Sequence, residues 1–103
     1  MLFRSVISGQ VGVRLDGTVE TGLEAQMQQA WLNVFAVLQA AGFEKRHLVK
    51  VTVFVTEPGQ VAVYRRVRDE LMEGLLVAMT YVQVAGLALP KYLVEIEAEA
   101  VKD

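Results

Sequence analysis

The sequence AMTYVQVAGLALPKYLVEIEAEAV, at residues 78–101, sets the architecture that the rest of the chain completes. It holds two runs of β-favouring residues, 79–85 and 93–101, and Gly86 and Pro90 between them interrupt any continuous strand and allow the chain to reverse. Successive strand side chains point to opposite faces of a sheet, and in the second run small and apolar residues alternate with acidic ones. The acidic residues are Glu95, Glu97 and Glu99. The second run therefore predicts a strand with one buried face and one face that carries carboxylates.

This row of three carboxylates has two interpretations. Alternate strand residues lie roughly 7 Å apart, so like charges repel one another unless water or cations intervene. The row is either a solvated or salt-bridged strand face or a face on which one carboxylate has a chemical role. A metal site is not expected, because the row lacks a histidine and a converging geometry. His47, the only histidine, is expected at the surface.

The composition limits the classes of function. The chain has 103 residues, enough for one domain over residues 1–103, and its apolar fraction of 53% exceeds the typical value of about 45–50%, so apolar surface must be hidden. A net charge of −2 gives no electrostatic signature for binding nucleic acid or an anionic membrane. The absence of cysteine excludes disulfides and thiolate catalysis, and no run reaches the roughly 18 apolar residues of a membrane span. We expect a soluble, cytoplasmic protein.

The first half of the chain predicts a strand, a hairpin and a helix. Residues 2–9 are rich in β-branched and apolar residues, and we expect the strand to stop at the glycine that ends them. Asp16-Gly17 is a hairpin signal, Thr21 and Glu24 fit a capping box at a helix start, and Gly42 sits where a helix ends in a left-handed residue. The expected apolar face of the helix comprises Leu23, Met27, Ala30, Trp31, Val34, Leu38 and Ala41.

The middle of the chain predicts a buried strand and a second helix. Residues 48–56 alternate with period two, and the valines at every second position are expected to be buried: Val49, Val51, Val53 and Val55. Glu57-Pro58-Gly59 forces a turn, and apolar residues then recur at helical spacing at Val61, Tyr64, Val67, Leu71 and Leu75. The order strand, helix, strand thus occurs twice. Each crossover should be right-handed, so both helices lie on the same face of one sheet if the two crossovers step the same way along it.

The other face of such a sheet would be left uncovered. It would carry Phe54, Thr52 and one side of the 79–85 strand, and a single copy would expose a large apolar patch. That side of the strand is either Met79, Tyr81 and Gln83 or Thr80, Val82 and Val84. We therefore expect an obligate homo-oligomer with clefts where the subunits meet.

Four segments of the chain resemble the RidA/YjgF family of reactive intermediate deaminases, also described as endoribonuclease L-PSP-like. They are Ser8-Gly9-Gln10-Val11, Ala40-Ala41-Gly42, the strand from Val49 to Val55, and Val94-Glu95-Ile96-Glu97-Ala98. The resemblance covers essentially the whole chain in the same order. It implies an α/β (α+β) chorismate mutase-like fold, in which one sheet carries two helices on one face, and a homotrimer with a small-molecule site in each inter-subunit cleft. It also implies hydrolysis of enamines and imines, such as 2-aminoacrylate, to 2-oxo acids and ammonia, without a cofactor.

The resemblance assigns roles to individual residues. Glu95 matches the glutamate that holds and activates the attacking water, and Ser8 and Gly9 match a segment that helps to bind the ligand through its hydroxyl and backbone N–H groups. Thr80 and Tyr81 would line the same cleft.

One position departs from the family pattern. The active branch grips the substrate carboxylate with the arginine of a Pro-Ala-Arg-Ser sequence, and the matching residues here are Val77-Ala78-Met79-Thr80, so Met79 takes the place of the arginine. Methionine offers no hydrogen-bond donor, and losing a charge-assisted pair of about 1.5–3 kcal/mol lowers affinity roughly tenfold to a hundredfold. The family's leading segment also carries a tyrosine that closes over the ligand, and this chain begins after that position.

Two hypotheses about function follow. The first is an enzyme of the Rid type that uses a Glu95-bound water to hydrolyse an imine whose acid group is absent or is held differently. The second is a non-catalytic trimer that binds a small metabolite in the same clefts or acts only through assembly. The cluster Arg65, Arg66 and Arg68 is expected at the helix surface, with an anion contact or a subunit contact as the alternative.

Overall fold

The chain forms one four-stranded sheet with two helices in a computed structural model that describes residues 1–103. The elements, in chain order, are β1 (Phe3–Val11), α1 (Leu23–Ala40), a 3-10 turn (Lys45–His47), β2 (Leu48–Val55), α2 (Val61–Met72), β3 (Ala78–Gln83) and β4 (Val94–Lys102). The strand order in the sheet is β1-β4-β2-β3. β4 is antiparallel to both of its neighbours, β1 and β2, whereas β2 and β3 are parallel. The α+β fold expected from the sequence is thereby confirmed.

β4 lies in the interior of the sheet and has the predicted two faces. Val94, Ile96, Ala98 and Ala100 are buried in the core. The three glutamates alternate with them on the opposite face. Because β4 has a neighbouring strand on both sides, Glu95 and Glu99 are each paired with one residue of β1 and one of β2, whereas Glu97 is paired with β2 alone.

Both helices cover the same face of the sheet, as predicted. A single cluster of buried apolar residues joins α1, α2 and the inward face of the strands, and Trp31 and Met27 of α1 and Val67 of α2 are almost fully inaccessible to solvent within it. Most of the predicted apolar face of α1 is buried, although Ala41 follows the helix and is exposed. Neither helix is long and apolar enough to cross a membrane.

The two ends of α1 differ in how well the sequence predicted them. The capping box is wrong: the N-cap residue is Gly22, no side chain caps the helix, and the Glu24 carboxylate pairs with Arg66 of α2 instead. The C-terminal prediction is confirmed, because Gly42 has φ 82°. The N–H groups of Gly42 and Phe43 donate to the carbonyls of Gln39 and Leu38 at 3.0 and 2.8 Å, which is the Schellman arrangement.

Two predictions for the strands need correction. β1 does not stop at Gly9 but continues to Val11, because the strand bulges between Ile7 and Gln10 and then resumes pairing with β4. In β2, Val49 is 44% exposed and Leu48 is buried in its place. An irregularity in the β2–β4 pairing between Leu48 and Lys50 shifts the alternation at the start of this strand.

α2 is shorter than the spacing of its apolar residues predicted. It ends at Met72, and Glu73 and Gly74 then adopt left-handed conformations with φ 52° and 81°. Leu75 therefore lies outside the helix and is partly exposed, and Met72 is buried. Val61, at the first position of the helix, is also exposed. The predicted hairpin around Asp16-Gly17 is present as a bridge between Val13 and Val19.

The uncovered face of the sheet is more polar than expected. The β2–β3 register places Thr80 beside Thr52 and Val82 beside Phe54, so the alternative with Met79, Tyr81 and Gln83 on this face is excluded. The glutamates of β4 share the face with these residues. The face thus combines apolar groups with charged and hydroxyl groups rather than forming one continuous apolar patch.

Gln26 of α1 ties two loops to the helix. It is the one polar residue in the buried set, and its side-chain amide donates to the carbonyls of Glu20 at 3.1 Å and Lys91 at 2.9 Å. Its side-chain oxygen accepts the N–H of Leu93 at 2.8 Å. Because Leu93 immediately precedes β4, this contact fixes where β4 begins.

Replacing Gln26 with leucine should therefore lower the free energy of unfolding by about 2–4 kcal/mol, since it leaves two carbonyls and one N–H without partners. Urea denaturation measures this loss. Gln39→Leu, at an exposed position of the same helix, is the control and should change stability by less than about 0.5 kcal/mol. Equal losses in the two variants would show that the buried amide contributes nothing specific.

Candidate functional site

The bulge in β1 brings Gly9 against Glu95. Between Ile7 and Gln10 the β1 strand has one residue more than the facing stretch of β4, so Ser8 and Gly9 leave the regular pairing. A Cβ atom added at Gly9 would overlap the Glu95 carboxylate and lie 2.7 Å from its Cγ. Only glycine leaves room for the carboxylate, which therefore lies directly over the backbone of Gly9. Glu95 is half-buried, whereas Glu97 is exposed.

A shallow depression of about 170 Å³ lies beside this contact on the uncovered face. Ser8 borders it, together with Lys50, Thr52, Glu97 and Glu99. Lys50 donates to the Thr80 hydroxyl at 2.5 Å. At the far end of the row, Arg4 pairs with Glu99 at 3.0 Å. The depression thus offers hydroxyls, a cation and carboxylates, all of which can hydrogen-bond to a small polar ligand or to water.

Met79 and Tyr81 lie on the other face of the sheet, toward α2. The Tyr64 hydroxyl of α2 donates to the Met79 sulfur at 3.4 Å, and the rings of Tyr64 and Tyr81 have centroids 4.8 Å apart. Partial burial, aided by Tyr64, raises the pKa of the Tyr81 hydroxyl above its usual value. Tyr81 therefore remains a neutral hydroxyl at physiological pH.

The six site residues expected from the resemblance thus divide into two groups. The structure brings Ser8, Gly9 and Glu95 together. It places Thr80 on the same face of the sheet, in β3, which is two strands away from β4. Met79 and Tyr81 are separated from Ser8, Gly9 and Glu95 by β2 and by the thickness of the sheet, and from Thr80 by the thickness of the sheet alone. No single copy of the chain can enclose both groups in one pocket.

Sequence reasoning missed the polar residues that accompany Glu95. Lys50 and Thr52 border the depression because the β2–β4 register sets them opposite Glu99 and Glu97. Their alternation with buried valines placed them on the outer face of β2. Their neighbours on β4 depend on the register between two strands that are distant in the sequence, and no local pattern indicates that register.

The chain has no group of three or more His, Cys, Asp and Glu side chains that could hold a metal ion. His47 instead accepts the N–H of Glu44 on its Nδ1 at 2.9 Å, within the 3-10 turn.

Comparison with known proteins places these features in a family context. The sequence profile of the family described as Endoribonuclease L-PSP matches residues 4–102. A RutC family protein of Aquifex aeolicus (strain VF5) is 33% identical over 98 residues, which cover 93% of this chain and 78% of that protein. The 2-iminobutanoate/2-iminopropanoate deaminase of Mus musculus is 35% identical over 99 residues, with coverage of 93% and 72%.

A solved structure shares the fold throughout. The crystal structure of the YjgF gene product from E. coli superposes with a TM-score of 0.90 at 32% identity, covering 97% of this chain and 81% of that one.

Proposed function

Because this chain belongs to the endoribonuclease L-PSP (RidA/YjgF) family, we propose that it hydrolyses an imine or enamine to a carbonyl compound and ammonia in clefts between the subunits of a homotrimer. The observation that carries the proposal is the half-buried Glu95 carboxylate lying over the Gly9 backbone. A relative with 35% identity is a deaminase of 2-imino acids, which favours the same class of reaction.

The chemistry requires a base and a water. Glu95 accepts a proton as the water oxygen attacks the imine carbon and forms the new C–O bond. The imine nitrogen takes up this proton, which gives a carbinolamine. As the C–N bond of the carbinolamine breaks, its hydroxyl proton is transferred to the nitrogen, the C–O bond becomes a carbonyl, and ammonia leaves. An enamine enters the same path once it has tautomerised to the imine, which moves one proton from its nitrogen to its carbon. No cofactor and no redox change are needed.

The division of the site between two faces supports a site shared by two copies. Met79 and Tyr81 of one subunit can border the same ligand as Ser8, Gly9, Thr80 and Glu95 of the next only when the subunits pack against each other. Val6, Phe54 and Val82 supply apolar contact on the uncovered face. Lys50 and Arg4 offset part of the glutamate charge, so this face can be covered without bringing only like charges together.

The alternative is a trimer that binds a metabolite without catalysis. Met79 favours it for short 2-imino acids, because the thioether cannot donate a hydrogen bond to a carboxylate. Binding of a 2-oxo acid without acceleration of imine hydrolysis would support the alternative.

Nucleic acid is not proposed as a partner, although the family description names an endoribonuclease. The net charge is −2, and the uncovered face displays three glutamates. Phosphate backbones are bound mainly by lysine and arginine, so this surface would repel them.

The proposal is tested by generating 2-imino acids in situ with an amino-acid oxidase and following their disappearance with and without this protein. Hydrolysis faster than in buffer, with a matching yield of ammonia, supports deamination. If short, long and aromatic 2-imino acids all disappear at the same rate with and without the protein, only the binding function remains.

Gly9→Ala should reduce this activity about 100-fold, because the added methyl group displaces the carboxylate that it would overlap. Steady-state kinetics measure the loss. Gly86→Ala is the control, since a Cβ at that position meets no atom within 4 Å. Full activity in Gly9→Ala would show that the close packing over Gly9 is irrelevant to the chemistry.

A further inference from the structure

We propose that Arg68 binds the carboxylate of an aliphatic 2-oxo or 2-imino acid whose chain lies against Met79, in a depression between the end of α2 and the start of β3. This inference rests on the proposed function in one respect, which is that Met79 borders the ligand. It adds the residue that binds the carboxylate and a preference for acids with a longer aliphatic chain.

The depression has the size and lining of a small amphipathic site. Its volume is about 250 Å³. Apolar side chains supply most of the wall, and Arg68 and Asp69 are its charged members. The apolar side chains are Met72, Leu75, Leu76, Val77 and Met79. Leu76 is almost completely exposed, so it is available to a ligand or to another subunit.

Arg68 is held in place at this depression. Its guanidinium carbon lies 5.3 Å from the centre of the Tyr64 ring, and its Nε and Nη2 atoms lie 2.9 and 2.8 Å from the same oxygen of Asp69. A guanidinium has five N–H donors in a planar fork, so donors remain for a second carboxylate. Tyr64 also contacts the Met79 sulfur, and it thereby connects the cation to the residue that replaces the family's arginine.

The other two arginines of α2 are not available for this role. Arg66 pairs with Glu24 of α1, and Arg65 is exposed. Neither borders the depression. Arg68 is therefore the one cation of this helix that can reach a ligand beside Met79.

Asp69 determines the kind of acid that can bind. Because the Asp69 carboxylate already pairs with Arg68, the carboxylate of a ligand must share the guanidinium with it. The ion pair alone therefore adds little binding free energy for a short acid. An aliphatic chain on the apolar wall adds about 0.8 kcal/mol of binding free energy for each buried CH₂, which is roughly a fourfold gain in affinity. We therefore expect acids with several carbons in the chain to bind better than pyruvate.

Calorimetry with 2-oxohexanoate, pyruvate and the uncharged 2-oxohexanamide tests the proposal. The wild-type protein should bind 2-oxohexanoate at least about tenfold more tightly than either of the other two. Arg68→Gln should lower the affinity for 2-oxohexanoate about tenfold and leave that for the amide unchanged. Arg68→Lys should fall between the two, because it keeps the charge and loses the fork. Asp69→Asn should raise the affinity for 2-oxohexanoate.

Arg65→Gln is the matched control on the same helix and should bind as the wild type does. The proposal is overturned if Arg68→Gln binds 2-oxohexanoate like the control, if pyruvate binds as well as the longer acid, or if the wild-type protein binds none of the three compounds.

Failure of the catalytic proposal would give a different pattern. The Glu95→Gln variant should still bind 2-oxohexanoate. If the wild-type protein binds 2-oxohexanoate through Arg68 but does not hydrolyse imines, the catalytic proposal fails and the proposed role of Arg68 stands. Conversely, if the protein hydrolyses imines and Arg68→Gln changes neither hydrolysis nor binding, the catalytic proposal stands and the proposed role of Arg68 fails.

Discussion

Glu95→Gln is expected to lower kcat/KM for imine hydrolysis by about 100- to 10,000-fold, the usual contribution of a general base. Glutamine has nearly the same shape as glutamate and still fits over Gly9, but its amide cannot accept the proton of the attacking water. The affinity for a 2-oxo acid should change little, so the loss should fall on kcat. Single-turnover and steady-state measurements on the same preparation separate the two effects.

Glu97→Gln provides the control for this substitution. Glu97 lies on the same strand and the same face, but it is exposed and lies beside Thr52 rather than over Gly9. Because Glu97 borders the depression, its replacement should act on KM and leave kcat within about twofold of the wild type, whereas the loss of a general base lowers kcat far more. Equal losses in the two variants would mean that the carboxylate row acts only through its total charge.

Trp31→Ala is expected to lower the free energy of unfolding by about 3–5 kcal/mol, a large part of the stability of a small domain. The Trp31 side chain is completely buried at the centre of the cluster that joins α1 to the sheet, 5.8 Å from the Phe35 ring. Its removal leaves a cavity that the surrounding side chains cannot fill. Chemical denaturation at one fixed protein concentration gives the value, because any self-association would make the apparent stability depend on concentration.

Trp31→Phe should cost less than half as much. The indole Nε1–H of Trp31 has no hydrogen-bond acceptor although it is buried, and phenylalanine removes this unsatisfied donor while it keeps an aromatic ring. The difference in the free energy of unfolding between Trp31→Ala and Trp31→Phe separates the contribution of the buried ring volume from the cost of the unsatisfied indole N–H. A phenylalanine variant as unstable as the alanine variant would show that the orphan donor is not a cost in the native state.

The sequence predicted the fold well where periodicity is strong and local. The alternation in β4 and the three- and four-residue steps in α1 identified the buried residues because burial acts on every second strand residue and on one stripe of a helix. Gly42 identified the end of α1, because few other residues adopt φ near 82°.

Predictions failed where tertiary contacts override a local motif. Thr21 and Glu24 have the spacing of a capping box, but Glu24 pairs with Arg66 and Gly22 becomes the N-cap residue. Val49 follows the valine alternation, yet the irregular pairing of β2 with β4 turns it outward. Arg66 lies far from Glu24 in the sequence, and β4 lies far from β2, so a local motif reveals neither contact.

The candidate site was predictable only in part, for the same reason. Glu95 and Gly9 could be named from the resemblance, but their contact depends on a bulge in β1 opposite β4, at the other end of the chain. Arg68 looked like an ordinary residue of a basic helix surface. Its place beside Met79 follows from the chain turning back after Met72, which sequence spacing did not indicate.

A mixing experiment tests most directly whether each site is shared between two copies of the chain. Glu95→Gln removes the base from one half of the site, and Met79→Glu places a carboxylate beside Arg68 in the other half, so each variant alone should be inactive. If the halves come from neighbouring subunits, co-expression of equal amounts should restore about a quarter of the wild-type activity, because that share of interfaces in a closed ring combines two intact halves. Mixed assemblies as inactive as either parent would contradict a shared site, and with it the proposed inter-subunit cleft.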